Sequence, residues 1–346
     1  MQVQQSQARN RTEAQVAALT REILAVYDDA RRSINKELQR VYATILSGVK
    51  PEDYYNTILK YDRLNKLKTE INRLYMQESV KAGRMTLSAS RTAMEESFYQ
   101  NQYVLQWFTP RAGVDLSFAI IPQELVQVSV TGNLASWEKL SAAVKQRIQD
   151  TYGSINAYVP EAGSITQLLA NNRRDEILKI NRAISSGLLR GQSYRGTARD
   201  VARVIGTVTP TKSSGAKGSA LRVVRTESNR TYNAGAFANT QQAVDQGVEI
   251  RRVWLATLDS RTRDTHASLD GQSVAPDKPF TSAGESSMFP GDFPSAGQNI
   301  NCRCTVIDAV DGVPPQVRRG VNPVTGEREV FDWTTYQEWA KANGVT

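Results

Sequence analysis

Histidine and cysteine are almost absent from this chain of 346 residues, which contains one histidine and two cysteines. The cysteines, Cys302 and Cys304, are separated by a single residue. A disulfide between them would close a small, strained ring, so the pair does not form a disulfide framework. The thiols are therefore expected to be free, or to bind a metal as thiolates.

Long apolar runs are also missing. No stretch of eighteen apolar residues occurs, so no membrane-spanning helix is predicted. The first ten residues lack the apolar core of a signal peptide, and we expect the protein to be made and first used in a cytoplasm. Hydrophobic residues make up 40% of the chain and charged residues 23%, a balance typical of a globular protein, and the length suffices for two domains.

The motifs of common enzyme classes are not found either. The sequence contains no phosphate-binding glycine loop, no Gly-x-Ser-x-Gly and no His-Glu-x-x-His. These absences exclude most common enzyme classes, although they do not exclude unusual ones.

A basic segment accounts for most of the formal net charge of +8. Residues 190–230 contain nine basic and two acidic residues. A local field of this kind attracts DNA, RNA or an acidic protein surface, and the alternative is a well-solvated helix–loop–helix surface. The candidates for DNA contact without sequence preference are Arg195, Arg199, Arg203, Lys212 and Lys217.

Apolar residues at spacings of three and four predict long amphipathic helices in the first third of the chain. A first helix is predicted from about residue 12 to Gly48, a second ends at Gly83, and a third runs from about 86 to 108. Residues 12–108 are therefore predicted to form an extended helical bundle, whose apolar stripes pack on one another or on a partner.

The middle of the chain is predicted to be helical with one ambiguous stretch. Residues 114–130 begin with strand-like alternation that Pro122 interrupts. Further helices are predicted at 134–152, 164–189, 193–205 and 219–246, and strands at 248–258 and 304–308.

Composition suggests where the domains divide. Residues 206–219 are rich in glycine, serine and threonine and form the clearest linker. The predicted order is a mainly helical region (1–205), the linker (206–219), a small domain (220–312) and an aromatic-rich tail (313–346). The predicted fold class is α+β, with a long-helix N-terminal region followed by a small α+β C-terminal domain.

The strongest signature lies in the predicted small domain and includes the only histidine and both cysteines. An Arg-Thr-Glu run in a predicted helix is followed by a strand with Trp254, then Asp-x-Arg-x-Arg-x-x-His-x-x-Leu-Asp-Gly at 259–271, then Asn-Cys-Arg-Cys at 301–304. The candidate structural residues are Arg225, Glu227, Trp254, Asp259, Arg261, Arg263, His266, Asp270, Gly271, Asn301 and Arg303.

One interpretation of this signature is a metal site. His266, Cys302 and Cys304 are candidate zinc ligands, because imidazole and thiolate suit zinc. Structural zinc sites favour two residues between cysteines, so the single intervening residue argues against this interpretation. The alternative is that both thiols pack in a small core. The candidates for a fourth ligand are Asp259, Asp264 and Asp270.

A second interpretation is catalytic. Carboxylate, guanidinium and imidazole groups are what a phosphodiester-cleaving centre needs. The enzymatic alternative is therefore a metal-dependent or nucleic-acid-processing enzyme centred on His266, Cys302 and Cys304, with a hydrolase, nuclease-like or transferase activity in 220–312. Acidic and basic side chains this close more often form ion pairs and turn caps, and Asp270-Gly271 is a strong turn dipeptide. A structural role is therefore favoured, and no catalytic residue is assigned.

Helical geometry separates two of the candidate residues. Arg225 and Glu227 lie about 200° apart around their predicted helix and cannot both face one site. We expect Arg225 to form a buried hydrogen bond into the loop with Asp259 or Asp270, and Trp254 to lie in the core. Pairing of strand 253–258 with 305–307 is expected to bring the histidine and cysteine segments together.

These motifs, in this order, resemble the C-terminal domain of the phage head-morphogenesis family, minor head (minor capsid) proteins similar to protein F of phage Mu. The resemblance implies a structural component of a tailed-phage head rather than an enzyme. It implies a place in the virion, at the portal vertex or in the head interior, after assembly in the host cytoplasm. The implied partners are the portal protein, the major capsid or scaffolding protein and phage DNA, without a membrane, and the implied role is in DNA packaging or ejection. No cofactor is expected beyond the candidate zinc.

Overall fold

Helices dominate the computed structural model, which describes residues 2–60, 62–161, 163–209, 211–310, 317–322 and 325–345. The α-helices are α1 (Gln2–Thr44), α2 (Tyr54–Leu59), α3 (Arg63–Phe108), α4 (Gln123–Thr131), α5 (Ala135–Glu138), α6 (Ala142–Tyr152), α7 (Ile165–Leu189), α8 (Tyr194–Ile205), α9 (Gly215–Asp245), α10 (Asp264–Ala267), α11 (Ala296–Asn299) and α12 (Tyr336–Ala342). Short 3-10 helices span Pro51–Asp53, Thr109–Ala112 and Ile155–Tyr158.

Strands occur only after α9 in the described part of the chain. They are β1 (Ile250–Leu255), β2 (Ser273–Val274), β3 (Phe280–Ser282), β4 (Glu285–Ser287), β5 (Thr305–Val310), β6 (Val317–Val321) and β7 (Arg328–Asp332). β1 pairs antiparallel with both β2 and β5, while β3–β4 and β6–β7 form two separate antiparallel pairs. Long helices followed by a small strand-containing region confirm the predicted α+β class.

The apolar stripe of the first helix is buried as its periodicity predicts. Ile23, Ile34 and Leu38 of α1 are fully buried, and the other stripe residues between them are nearly so. Three predicted boundaries are wrong. The first helix begins at Gln2 rather than near residue 12, and the helix predicted at 134–152 is divided into α5 and α6. Gly83 does not end a helix but lies within α3. Glycine weakens a helix interior without forbidding it, and the packing of a long apolar face outweighs a local cost of about 1 kcal/mol.

The ambiguous stretch after α3 contains a helix rather than a strand. Residues 114–122 are irregular, and α4 begins directly after Pro122, which caps it in an extended conformation. Proline lacks the N–H that a central strand needs but is compatible with the start of a helix.

The chain forms two compact units, and neither is continuous in sequence. The first unit comprises Met1–Val16, Ala89–Ile165 and Arg225–Thr346, and the second comprises Ala17–Ser88 and Thr166–Val224. In the second unit, the Tyr42 hydroxyl of α1 lies 2.9 Å from the Thr197 hydroxyl of α8, and the Tyr75 hydroxyl of α3 donates to the Glu176 carboxylate of α7 at 2.7 Å. These contacts join α1 to α8 and α3 to α7, and Ile71 and Tyr75 of the α3 stripe are fully buried.

Residues 206–219 do not separate these units, since all of them lie in the second unit and α9 already begins at Gly215. Gly206 and Gly215 both have positive φ angles, and a Cβ on either would overlap backbone atoms of this turn. The glycines that suggested a flexible linker are instead required by a close backbone approach.

The aromatic tail is folded. Strands β6 and β7 form a hairpin, and Trp339 of α12 packs with the fully buried Leu258. Val321 N–H donates to the Leu258 carbonyl at 2.9 Å. The tail is therefore hydrogen-bonded to the segment that follows β1. Among the helices that the structure describes, none combines the length and apolarity needed to cross a membrane.

Candidate functional site

Trp254 occupies the centre of a small core in the strand region. It is fully buried on β1 with its ring centroid 5.1 Å from that of Phe280 and 5.8 Å from that of Phe293. Leu269, Cys302 and Cys304 belong to the same buried cluster. The prediction that this tryptophan lies in the core is confirmed.

The predicted strand pairing brings the only histidine to both cysteines. Val253 pairs with Ile307 and Leu255 with Thr305, so Cys304, which directly precedes β5, lies beside His266 of α10. Nδ1 of His266 is 3.2 Å from Sγ of Cys304 and 3.7 Å from Sγ of Cys302. All three side chains are at least 97% buried.

Each thiol modifies the other's acidity. The hydrogen bond with Cys304 lowers the pKa of Cys302 despite burial, while the hydrogen bond with Cys302 and burial raise the pKa of Cys304 well above its ordinary value. Cys302 is therefore the more acidic thiol of the pair. Once Cys302 has lost its proton, the negative charge makes loss of the second proton, from Cys304, harder.

Asp259 is held by an arginine from the cysteine motif. Nη2 of Arg303 donates to Oδ1 of Asp259 at 2.9 Å, and Nη1 contacts Oδ2 in the bidentate arrangement favoured by guanidinium and carboxylate. Burial alone would raise the pKa of Asp259, but the hydrogen bond and charge of Arg303 hold that pKa below its ordinary value. The loop after β1 is thus fixed to the segment between the two cysteines.

Asp270 is satisfied by four hydrogen bonds. Both of its oxygens accept from Arg318, at 2.7 and 2.8 Å, while the backbone N–H groups of Ala256 and Tyr336 donate at 2.7 and 2.6 Å. Gly271 follows with φ of 78°, as the predicted Asp-Gly turn requires. The ion pair is almost completely buried, so this carboxylate organises the fold rather than facing a substrate.

The expectation for Arg225 is wrong. Arg225 is exposed and forms no ion pair within the described residues, whereas Glu227 is buried and bonded to Arg230 at 2.9 Å. Residues two positions apart on a helix differ by about 200° around its axis, so the burial of Glu227 directs Arg225 to solvent. The role expected of Arg225 is performed by Arg303 for Asp259 and by Arg318 for Asp270.

The remaining motif residues fix the loop between α10 and β5. Arg263 donates to the Ile300 carbonyl, and Asn301 adopts a left-handed φ of 56° with its N–H donating to Thr226 at 3.0 Å. Arg261 is 79% exposed, and its guanidinium lies 3.5 Å from Asp259, so it contributes little to the loop.

The basic candidates divide into an exposed group and one buried residue. Arg195, Arg199 and Arg203 are exposed on α8, and Lys212 is exposed in the turn before α9. Lys217 is buried and paired with Asp28 at 2.6 Å. Including Lys217 among the DNA contacts was therefore wrong, because its charge is already compensated inside the second unit.

Sequence reasoning missed two arginines that hold this region together. By position, Arg318 belongs to the predicted tail and Arg252 to the strand predicted at 248–258. Arg252 lies between the rings of Phe237 and Phe280 at 4.9 and 5.2 Å and donates to the Met288 and Lys278 carbonyls, and burial lowers its pKa to about 10. The sequence did contain a signal for Arg252. It is a charged residue at a strand position that the alternation of the strand directs into the core.

Comparisons with known proteins agree with the family resemblance of the motifs. Residues 178–307 match the model of the family described as Phage Mu protein F like protein. The minor head protein GP7 of Bacillus phage SPP1 is 27% identical over 328 residues, which cover 91% of this chain and 94% of GP7. The comparisons confirm the family predicted from the sequence, that of phage head-morphogenesis proteins.

Two further relatives are bacterial. The NAD(+)–arginine ADP-ribosyltransferase EFV of Enterococcus faecalis is 28% identical over 319 residues, which cover 92% of this chain but only 56% of that protein. An uncharacterized protein of Haemophilus influenzae is 27% identical over 169 residues, which cover 49% of this chain and 32% of that protein. No solved structure matches the chain.

Proposed function

We propose that this chain is a minor structural component of a tailed-phage head, associated with the portal vertex or the capsid interior, that acts in head assembly and in DNA packaging or ejection. The observation that carries the proposal is the match to GP7, because it covers 91% of this chain and 94% of a protein named as a minor head protein. An alignment of this extent includes the long helices of this chain as well as its motif region.

Portal association is tested by co-expressing the chain with the portal protein of the same phage. We expect the chain to co-sediment with the portal ring in a density gradient. Parallel co-expression with the major capsid or scaffolding protein distinguishes the portal from the other head components. Migration of the chain as a free protein in the presence of assembled portal rings would contradict portal association.

The second part of the proposal is contact with DNA through α8. Arg195, Arg199 and Arg203 are four residues apart and share one exposed face, while Val201 and Ile205 on the opposite face are fully buried. Asp200 forms ion pairs with Arg190 and Arg203, at 3.2 and 2.6 Å, and leaves the other two α8 arginines without an ion pair in the described residues. This face supports electrostatic contact with phosphates and offers no sequence-reading motif.

The DNA contact is tested by fluorescence anisotropy with duplexes of unrelated sequence. If the three α8 arginines and Lys212 each reach a phosphate, log affinity should fall with log salt at a slope of about −3.6. The variant Arg195→Ser/Arg199→Ser/Arg203→Ser should bind more weakly and with a slope smaller by about 2.7.

A matched control separates a specific surface from net charge. Arg174, Lys179 and Arg182 are exposed on α7 in the same unit, so replacing them with serine removes the same charge from another surface. We expect this control to retain most of the affinity. Equal losses in both triple variants would show that net charge, rather than the α8 face, determines binding.

An enzymatic function is the second candidate, because one relative is named as an ADP-ribosyltransferase. This chain spans 56% of that relative, and we assign the activity in its name to the part outside the match. The burial of His266, Cys302 and Cys304 supports a non-catalytic role, because substrate cannot reach them without local opening. Incubating the purified chain with labelled NAD and an arginine-containing acceptor should give no transfer above background, and transfer would overturn this assignment.

A further inference from the structure

The buried histidine and thiols form a group that head assembly does not explain. Nδ1 of His266 and Sγ of Cys302 and Cys304 all lie within 4.8 Å of one another. They are surrounded by the apolar side chains of the core that contains Trp254 and Phe293. Three donor atoms that suit a soft cation therefore meet inside a mainly apolar core.

The hydrogen bonds of Gln298 select the tautomer of His266. Oε1 of Gln298 accepts from the Thr265 hydroxyl at 2.9 Å and lies 3.1 Å from Nε2 of His266. A carbonyl oxygen can only accept, so Nε2 carries the ring proton and Nδ1 of the neutral ring keeps its lone pair. That lone pair faces the two sulfurs. Metal-binding histidines are commonly oriented in this way, by a hydrogen bond from the other ring nitrogen to a carbonyl oxygen.

The distances from the imidazole nitrogen to the two sulfurs are close to those of a tetrahedral zinc site. With Zn–N of about 2.0–2.1 Å and Zn–S of about 2.3 Å, nitrogen and sulfur ligands lie about 3.5 Å apart. The two distances from Nδ1 to sulfur are 3.2 and 3.7 Å, on either side of that value. The imidazole and the two thiols can therefore coordinate one ion without a large movement of the backbone.

The single residue between the cysteines is compatible with this geometry. Cys302 and Cys304 are buried, whereas Arg303 between them is half-exposed and reaches Asp259 on the other side. This alternation, immediately before β5, is the pattern of an extended chain, in which residues two apart face the same side. Two residues between the cysteines are usual where the chain turns around the metal. In an extended segment, one intervening residue is enough to place both sulfurs on the same side.

We propose that His266, Cys302 and Cys304 bind one zinc ion through Nδ1 and the two thiolates. The predicted fourth ligands do not complete the site, because Asp259 pairs with Arg303, Asp270 pairs with Arg318, and Asp264 is exposed. The fourth position is left to a small non-protein ligand such as water. The ion joins the loop after β1 to the start of β5, and its role is to stabilise this part of the fold.

Metal analysis of the untagged full-length chain tests the proposal. We expect one zinc per chain by mass spectrometry of the metal, and loss of that zinc in Cys302→Ser/Cys304→Ser. Because the chain has only these two cysteines, a thiol reagent reports on the site alone. Reaction should be slow in the loaded protein and fast after a chelator is added.

A measurement on the wild-type chain covers the case in which the cysteine variant does not fold. Adding Zn²⁺ to the chelator-treated protein should raise its melting temperature, while Mg²⁺ should not. Gln298→Leu should weaken zinc affinity about 10- to 100-fold, because it removes the carbonyl that orients His266. Gln272→Leu, which alters a glutamine bonded to Thr281 outside the group, is the matched control and should leave the affinity unchanged.

Two results would overturn the proposal. The first is a folded wild-type chain that contains no metal and whose melting temperature does not respond to Zn²⁺. The second is zinc that stays bound at one per chain after both cysteines are replaced. The first result would leave a thiol–imidazole hydrogen bond as the complete interaction.

Discussion

Arg318 forms a buried, bidentate ion pair with Asp270, at N–O distances of 2.7 and 2.8 Å. Asp270 belongs to the 259–271 motif, but Arg318 lies beyond residue 307, where the family match ends. The same guanidinium also donates to the Ala256 carbonyl and lies 5.6 Å from the ring of Trp333. The tail therefore supplies the counter-charge for a central carboxylate of the motif.

Replacing Arg318 with Met should strongly destabilise the first unit. Removal of one partner leaves an uncompensated carboxylate in the interior, which typically costs about 3–5 kcal/mol. Urea unfolding of the full chain measures the loss, and the double variant Arg318→Met/Asp270→Asn should recover part of it. Arg261→Met is the control, since Arg261 is 79% exposed, and it should change stability by less than about 0.5 kcal/mol. A loss no larger for Arg318→Met than for this control would contradict a structural role of the pair.

The sequence was informative where a periodic pattern or a motif determines the structure. The stripe of α1, the pairing of β1 with β5 and the burial of Trp254 were all predicted, because apolar periodicity and a returning strand leave few arrangements. The approach of His266 to Cys304 followed from that pairing.

Long-range charge pairing could not be predicted in the same way. From the sequence alone, any of three arginines could pair with Asp259 or Asp270: Arg225, Arg303 and Arg318. Only the folded structure shows which arginine lies beside which carboxylate. Burial of Lys217 was hidden for the same reason, because its partner Asp28 is 189 positions away on α1. Local composition also misled at 206–219, where glycines serve a tight turn.

A close helix crossing depends on Gly235. A Cβ at this position of α9 would lie 2.9 Å from the carbonyl carbon of Met94 in α3 and closer still to its oxygen. Backbone cannot yield as a flexible side chain does, so Gly235→Ala should destabilise the first unit by about 1–3 kcal/mol although alanine is the better helix former.

The measurement is the shift of the thermal unfolding transition. Gly297→Ala is the matched control, because Gly297 of α11 has open space where the methyl would lie. A Gly235→Ala variant at least as stable as wild type would show that α3 and α9 do not approach this closely.

In the second unit, the stability contributed by Tyr75 should depend on pH. Its hydroxyl donates to the buried carboxylate of Glu176, whose pKa is raised by burial and lowered in part by this bond. Tyr75→Phe should cost about 1–3 kcal/mol when Glu176 is ionised and less when it is protonated, so the loss should be larger at neutral than at acidic pH. Tyr27→Phe, in a neighbouring buried ring 6.3 Å away, is the control and should show no such pH dependence. Equal losses for Tyr75→Phe across the pH range would contradict the bond to an ionised carboxylate.

Asp292 should make the first unit less stable as pH rises. Burial raises its pKa to about 8, Arg230 lowers it in part, and Glu161 and Glu227 raise it further. Its Oδ1 has no hydrogen-bond partner within the described residues. The protonated acid is therefore the form that the fold prefers.

The sign of the effect follows from proton binding. The unfolded chain releases this proton near its ordinary pKa of 3.8 and the folded chain near 8, so the folded state binds more protons between these values. The free energy of unfolding should fall as pH rises through this range, by up to about 1.4 kcal/mol per pH unit, and level off above it.

Asp292→Asn keeps the shape and removes the titration. Its stability relative to wild type should increase from pH 5 to pH 8, as measured by urea unfolding at several pH values. Asp264→Asn, at an exposed position on α10, controls for the loss of a carboxylate and should give a difference that stays nearly constant with pH. If the Asp292→Asn difference were equally constant, the carboxylate would be ionised in the folded protein throughout, and Arg230 rather than burial would determine its state.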